Sequence, residues 1–208
     1  KEALYFVAQC LTISLEDRNK KVIKKQLQSN NIDWDRIVKV STAHYVLPAM
    51  YCNLQRSNFL NYLPDELVSY MEYLTNLNKK RNEDIIKQAK ELNTLLLTNN
   101  ITPIFLKGTA NILVRIYDDI AERMVGDIDF IFSKEDYPKA IKLLRDFGYS
   151  EVEKDEYYFP ALKHYRRLQK ESSVAAIEIH SEIFEIKKYR KEFNYSFVEK
   201  DSQVIDEI

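Results

Sequence analysis

Residues 125–132 read VGDIDFIF, an apolar run of β-strand composition that carries two aspartates, Asp127 and Asp129. Isolated buried charges are costly unless they are paired or coordinate a metal. The run therefore restricts the fold to one in which a strand packs one face into a core while its acids meet water or share a cation. Side chains alternate along a strand, so Asp127 and Asp129 point the same way. Ile128, Phe130 and Phe132 are expected on the other face, against helices behind the sheet. Two carboxylates on one strand face stand roughly 6–7 Å apart and repel each other. A divalent cation relieves that repulsion, and hard oxygen ligands suit Mg²⁺. A strand end at solvent, with each Asp capping a loop, is the other explanation of so short a motif.

The chain before this strand predicts helices. Leu4, Val7, Ala8 and Leu11 recur at helical spacing, as do Val22, Ile23 and Leu27. Asp33 is placed to cap a helix through Trp34, Ile37, Val38 and His44, and Pro48 interrupts the pattern beyond it. Pro64 suits the first turn of a long helix carrying Leu67, Met71, Leu74, Ile85, Ala89, Leu92 and Leu96. Its polar middle, NLNKKRNED, predicts a kink or a solvated bridge.

From residue 101 the texture changes. ITPIFLK reads as a short strand, ANILVRIYDDI as a helix, Ala121–Gly126 as a loop and DIDFIF as a strand. Residues 134–147 form an amphipathic helix with Ala140, Ile141, Leu144 and Phe147 inward and Gly148 at its C-terminal end. YSEVEK, YYFPALKHYRRLQK and SVAAIEIHSEIF are strand-like. The order gives an α+β fold: a helical N-terminal layer over 1–100, an α/β core with a small mixed β-sheet over 101–186, and the start of a C-terminal helical region over 187–208.

With 45% hydrophobic residues but only 3 Gly and 5 Pro, the chain can build a sizeable core and is not a turn-rich all-β sequence. A net charge of −1 argues against a broad nucleic-acid binder. Cys10 and Cys52 match no metal spacing and read as reduced thiols in helices. No apolar run reaches the ~18 residues that span a bilayer, so no membrane partner and a cytoplasmic location are expected. The start at Lys1 without Met and the stop after VIDEI predict a piece of a longer protein.

Chemistry gathers around the Asp pair. A strand that ends in Lys107-Gly108-Thr109 and opens a helix offers free backbone N–H groups to a phosphate. Gly108 permits close approach, and Lys107 and Arg123 add positive charge. KHYRR, Lys163 to Arg167, with Tyr157 and Tyr158 upstream, reads as a charged sheet edge or as a seat for acceptor phosphates and a stacked base. The run KKYRK, Lys187 to Lys191, reads as a helix surface. His44 and His164 sit in no ligand pattern.

LKGTANILVRIY, ERMVGDIDFIF, AIKLLRDFGY and AAIEIHSEI together resemble the polymerase-β-like nucleotidyltransferase superfamily, and more closely the bacterial "uncharacterised nucleotidyltransferase" family. The Ala43, His44 and Pro48 segment is similar too, and the resemblance covers roughly residues 30–185. It implies that Asp127 and Asp129 bind metal and that Gly108 and Thr109 hold the triphosphate, with Lys107 and Arg123 as phosphate contacts. The third acid implied is Glu178, with His180 in support on the same strand face. Glu151 and Glu153 are rivals, but Glu178 is flanked by Ile177 and Ile179, which mark a buried strand. The resemblance further implies two Mg²⁺ ions, an NTP such as ATP as substrate, and an unspecified acceptor hydroxyl, with Glu178 helping to deprotonate it. A binding module of the same fold, without catalysis, is the alternative. The turn here is Lys-Gly-Thr instead of Gly-Gly or Gly-Ser, and the third acid is Glu instead of Asp.

Overall fold

The structure is a computed structural model and describes residues 1–29, 31–152 and 164–205. Glu153, Tyr157, Tyr158 and Lys163 lie outside the described residues. The chain forms two compact units, Lys1–Asn82 with Tyr117–Met124, and Glu83–Ile116 with Val125–Ile208.

The first unit is helical: α1 (Glu2–Cys10), α2 (Asp17–Gln28), α3 (Trp34–Ala43), α4 (Leu47–Arg56) and the first part of α5 (Asp65–Thr98). In α1 the buried stripe is Ala3, Phe6, Val7 and Cys10, rotated from the Leu4–Ala8–Leu11 line, and Leu4 is exposed. Phe6 fixes that phase by packing edge-on against Trp34, with ring centroids 6.0 Å apart. Asp33 caps α3 by accepting from the Arg36 amide at 3.0 Å. Pro48 does not interrupt a helix. It sits in the first turn of α4, where its missing N–H is no loss. Cys10 and Cys52 are buried on α1 and α4, and burial pushes both thiols up, Cys52 to about 11.

The polar middle of α5 does not interrupt the helix, and it is not solvated all round. The helix is continuous, and Asn78 and Asn82 are buried. Asn78 Nδ2 donates to the carbonyls of Ala121 (2.7 Å) and Arg123 (3.1 Å). Asn82 Nδ2 donates to those of Ile120 (2.6 Å) and Arg123 (2.7 Å). The asparagines thus satisfy carbonyls of a short 3₁₀ turn, Ile120–Glu122, that has no ladder of its own.

The second unit carries a five-stranded mixed sheet: β1 (Ile104–Leu106), β2 (Ile128–Ile131), β3 (Ser150–Glu151), β4 (Leu168–Gln169) and β5 (Ile177–His180), in the order β1-β2-β5-β4-β3. Only β2 and β5 are parallel; the other pairs are antiparallel. Between them lie α6 (Lys107–Leu113) and α7 (Asp136–Asp146), and α8 (Tyr195–Lys200) follows the sheet. Ile128, Phe130, Ile177 and Ile179 are fully buried, as are Ile85, Ala89 and Leu96 of α5. The helix expected over 110–120 begins earlier and stops at Leu113, and Arg115 takes a φ of +55° that a helix cannot continue through. Around α7, Phe147 is exposed instead of inward, because the helix ends there and Lys170 Nζ covers its ring at 4.0 Å. Gly148, with φ +102°, closes a Schellman motif in which the Tyr149 amide donates to Leu144 O. Lys187–Tyr189 is one 3₁₀ turn, so KKYRK is not an α-helical surface.

KHYRR is not a sheet edge either. Its described part, 164–167, leads into β4, which lies between β5 and β3, and His164 bridges His180. The start of β5 is held from α5: Gln88 Nε2 donates to Ala175 O (2.8 Å) and Tyr149 Oη (3.0 Å), and its Oε1 accepts from the Ala175 amide (3.0 Å). Replacing Gln88 with Leu leaves both polar groups of Ala175 buried without partners. We expect it to lower stability by roughly 2–4 kcal/mol, read as a reduced urea midpoint.

Candidate active site

The parallel register of β2 on β5 sets Asp129 directly beside Glu178 and Ile131 beside His180. Paired residues of parallel neighbours share a face, so two acids and an imidazole stand together opposite the Ile–Phe core face. On the other side of β2, Leu106 of β1 is paired with Asp129, which brings the following residue, Lys107, to the same spot. Lys107 Nζ lies 2.5 Å from Asp129 Oδ1 and 3.4 Å from Glu178 Oε2. His180 Nε2 lies 2.8 Å from the same Asp129 oxygen and 3.6 Å from Glu178 Oε2.

Asp127, two residues before Asp129, makes two contacts of its own, outside the Asp129–Glu178–His180 group. Its carboxylate accepts from the guanidinium of Arg167, and its carbonyl accepts from Thr109 Oγ1 at 3.0 Å. The Thr109 hydroxyl, fully buried, thus clamps the β1–α6 turn to the start of β2. Lys107 adopts φ +52°, a left-handed conformation that a non-glycine residue takes only where its surroundings enforce it.

Burial and ion pairing act in opposite directions here. The His180 imidazole beside it holds the Glu178 carboxyl well below the usual carboxylate range, against the upward push of burial. Burial works to lower the His180 pKa, but the hydrogen bond to Asp129 and the nearby Glu178 carboxylate outweigh it and the net direction is upward. For Lys107 likewise, burial lowers and Asp129 raises, with a net rise. His180 Nδ1 is buried and finds no hydrogen-bond partner among the described residues.

Asp129, Glu178 and His180 each offer a ligand atom, and these lie within 4.8 Å of one another. The two carboxylates offer hard oxygen ligands that suit a divalent cation such as Mg²⁺, and His180 adds an imidazole nitrogen beside them. Of the residues singled out from sequence, Lys107, Asp129, Glu178 and His180 share direct contacts, whereas Thr109 and Asp127 contact each other and Asp127 pairs with Arg167. Gly108 is buried at the start of α6. Arg123 belongs to the first unit, where its carbonyl accepts from Asn78 and Asn82. Glu151, on β3, instead binds Tyr165 Oη (2.8 Å) and Arg166 (3.3 Å). Arg167 was legible only as part of a basic run. Its signal was the alternation: Leu168 is buried against Ile177, so Arg167 turns to the face that carries Glu178.

Residues 30–206 match the family described as "Uncharacterised nucleotidyltransferase". Neither the curated proteins nor the solved structures give a match. Among the described residues no helix is long and apolar enough to cross a membrane.

The two shifts set a pH window. His180, raised in the folded chain, contributes stability that is fully present below its ordinary value of 6.5 and is lost as pH rises through the folded value. Glu178, lowered, contributes stability present above 4.5 and lost as pH falls through its folded value. Both contributions are complete between pH 4.5 and 6.5. In chelator, the gap in melting temperature between wild type and His180→Asn is therefore expected to be widest there and to narrow on the alkaline side.

Proposed function

This chain belongs to the uncharacterised nucleotidyltransferase family, and we propose that it transfers a nucleoside monophosphate from an NTP to a hydroxyl of an acceptor, with Mg²⁺ held by Asp127, Asp129 and Glu178. The observation that supports this best is the register that sets Asp129 beside Glu178, with Asp127 two residues before and the Lys107-Gly108-Thr109 turn adjoining. Bound Mg²⁺ would supply charge neutralisation and alignment of the phosphates for in-line displacement.

The chain's own residues divide the remaining work. His180 Nε2, hydrogen-bonded to Asp129 and beside Glu178, fixes the orientation of the Asp129 carboxylate. Thr109 spends its hydroxyl on Asp127 O, so its contribution to a phosphate falls to the backbone N–H groups at Gly108 and Thr109, with the Lys107 ammonium beside them. Glu178 stays ionised through the neutral range. So weak a base suits ligation and orientation of the acceptor hydroxyl better than outright removal of its proton.

The test uses each α-³²P-labelled NTP with Mg²⁺ and pools of small metabolites, RNA and protein from cell extract as acceptors. We expect label transfer with pyrophosphate release in at least one pool, and a loss of roughly 10³-fold or more in Asp129→Asn and in Glu178→Gln. Binding of a Mg–NTP complex by calorimetry with no transfer in any pool would identify a binding module instead. No binding of any NTP would overturn the reading altogether.

A further inference from the structure

The three carboxylates proposed to take the metal are each already engaged by a positive group of the chain. Lys107 reaches Asp129 and Glu178, His180 reaches the same pair, and Arg167 holds Asp127. The imidazole is buried in the sheet, whereas the side chains of Lys107 and Arg167 are 47% and 50% exposed. These two are long, flexible and free on one side to swing outward. Lys107 also sits on a left-handed backbone that an L-residue does not choose unaided.

A Mg²⁺ ion bonds carboxylate oxygen at about 2.1 Å. The Lys107 ammonium sits 2.5 Å from Asp129 Oδ1. Two cations crowded on one oxygen repel strongly in a partly buried site. Metal and lysine therefore compete for the space between Asp129 and Glu178, and metal and arginine compete for Asp127. A polyanionic triphosphate arriving with the metal offers the displaced side chains new oxygens at short range, which the metal alone does not.

We infer that Lys107 and Arg167 are exchangeable counter-ions: they hold the carboxylate oxygens that the proposed Mg²⁺ would take, and transfer to the triphosphate when the metal–nucleotide complex enters. The inference rests on the reading of this cluster as a Mg²⁺–NTP site. Its consequence is a coupling between the two ligands, since each pays less to bind once the other has moved the cations. Metal alone binds weakly, and metal with nucleotide binds tightly.

Two measurements separate this from a plain metal site. Mn²⁺ binding without nucleotide is followed by electron paramagnetic resonance of the free ion. Binding of each α,β-methylene NTP at saturating Mg²⁺ is followed by calorimetry. Lys107→Met and Arg167→Met are expected to tighten Mn²⁺ binding by roughly five- to thirtyfold and to weaken nucleotide binding by a similar factor. This opposite sign is what the exchange demands. In the wild type, nucleotide is expected to tighten Mn²⁺ binding, and Asp129→Asn to abolish it. If the variants weaken both ligands, or leave Mn²⁺ binding unchanged, the exchange is wrong while the metal site stands. If the wild type binds no Mn²⁺ with or without nucleotide, the reading of the site itself falls and the exchange with it. Should Lys107→Met not fold, Arg167→Met carries the same test from outside the strained turn.

Discussion

Asp129 is a carboxylate with only 6% of its surface exposed, in a central strand, with a second acid in register beside it. Neither can stand there without compensating partners, and the strands on either side of β2 supply them. β1 runs antiparallel to β2, so its end delivers Lys107 to the spot where a parallel neighbour would deliver a strand start. β5 runs parallel, which places His180 two residues beyond Glu178 on the same face. β4 runs antiparallel to β5, and Arg167, just before it, pairs with Asp127. Hydrophobic replacements would build a sheet of this size at less electrostatic cost. The cluster therefore makes physical sense as a site more than as a support.

The start of β5 is placed because α5 holds the irregular backbone before it. Gln88 takes both polar groups of Ala175, two residues before β5, and Ile128 then donates to Ala176 O at 2.9 Å. In the first unit, Asn78 and Asn82 hold the carbonyls of residues 120–123. Buried amides of this kind are high-stakes: fully paired they specify one backbone path, and unpaired they cost more than an apolar residue would.

That role explains which parts of the chain were legible beforehand. VGDIDFIF, AIEIH and the KGT turn announced themselves because acids or small residues sit inside apolar runs, where period-two alternation fixes their face. Asp33, Pro64 and Gly148 were legible because capping and left-handed φ are local chemistry. The asparagines of α5 were not. A buried Asn and a solvated Asn look alike in sequence, and only the partner carbonyls some 40 residues away distinguish them. The same holds for KHYRR, whose charge suggested an edge. Strand order is a long-range property, and Arg167 owes its place to the pairing of Leu168 with Ile177. Phe147 misled for the opposite reason: its spacing was helical, but the helix ended at its own position.

The near-zero net charge of the chain also takes on a narrower meaning. The three acids are faced locally by the Lys107 ammonium, the Arg167 guanidinium and the His180 imidazole, so much of the cluster's charge is compensated within the ~8–10 Å Debye length. A polyphosphate is then not drawn in from afar by a basic funnel, as a nucleic-acid channel would draw it. On the proposed reading, recognition would happen at contact distance, where an incoming anion and cation would be exchanged for the pairs the chain already makes. A site balanced in this way gives up association rate and gains selectivity: a metal without phosphates, or phosphates without a metal, must break ion pairs and leave charges unmatched. Only a ligand that carries both signs in the right order leaves every group satisfied.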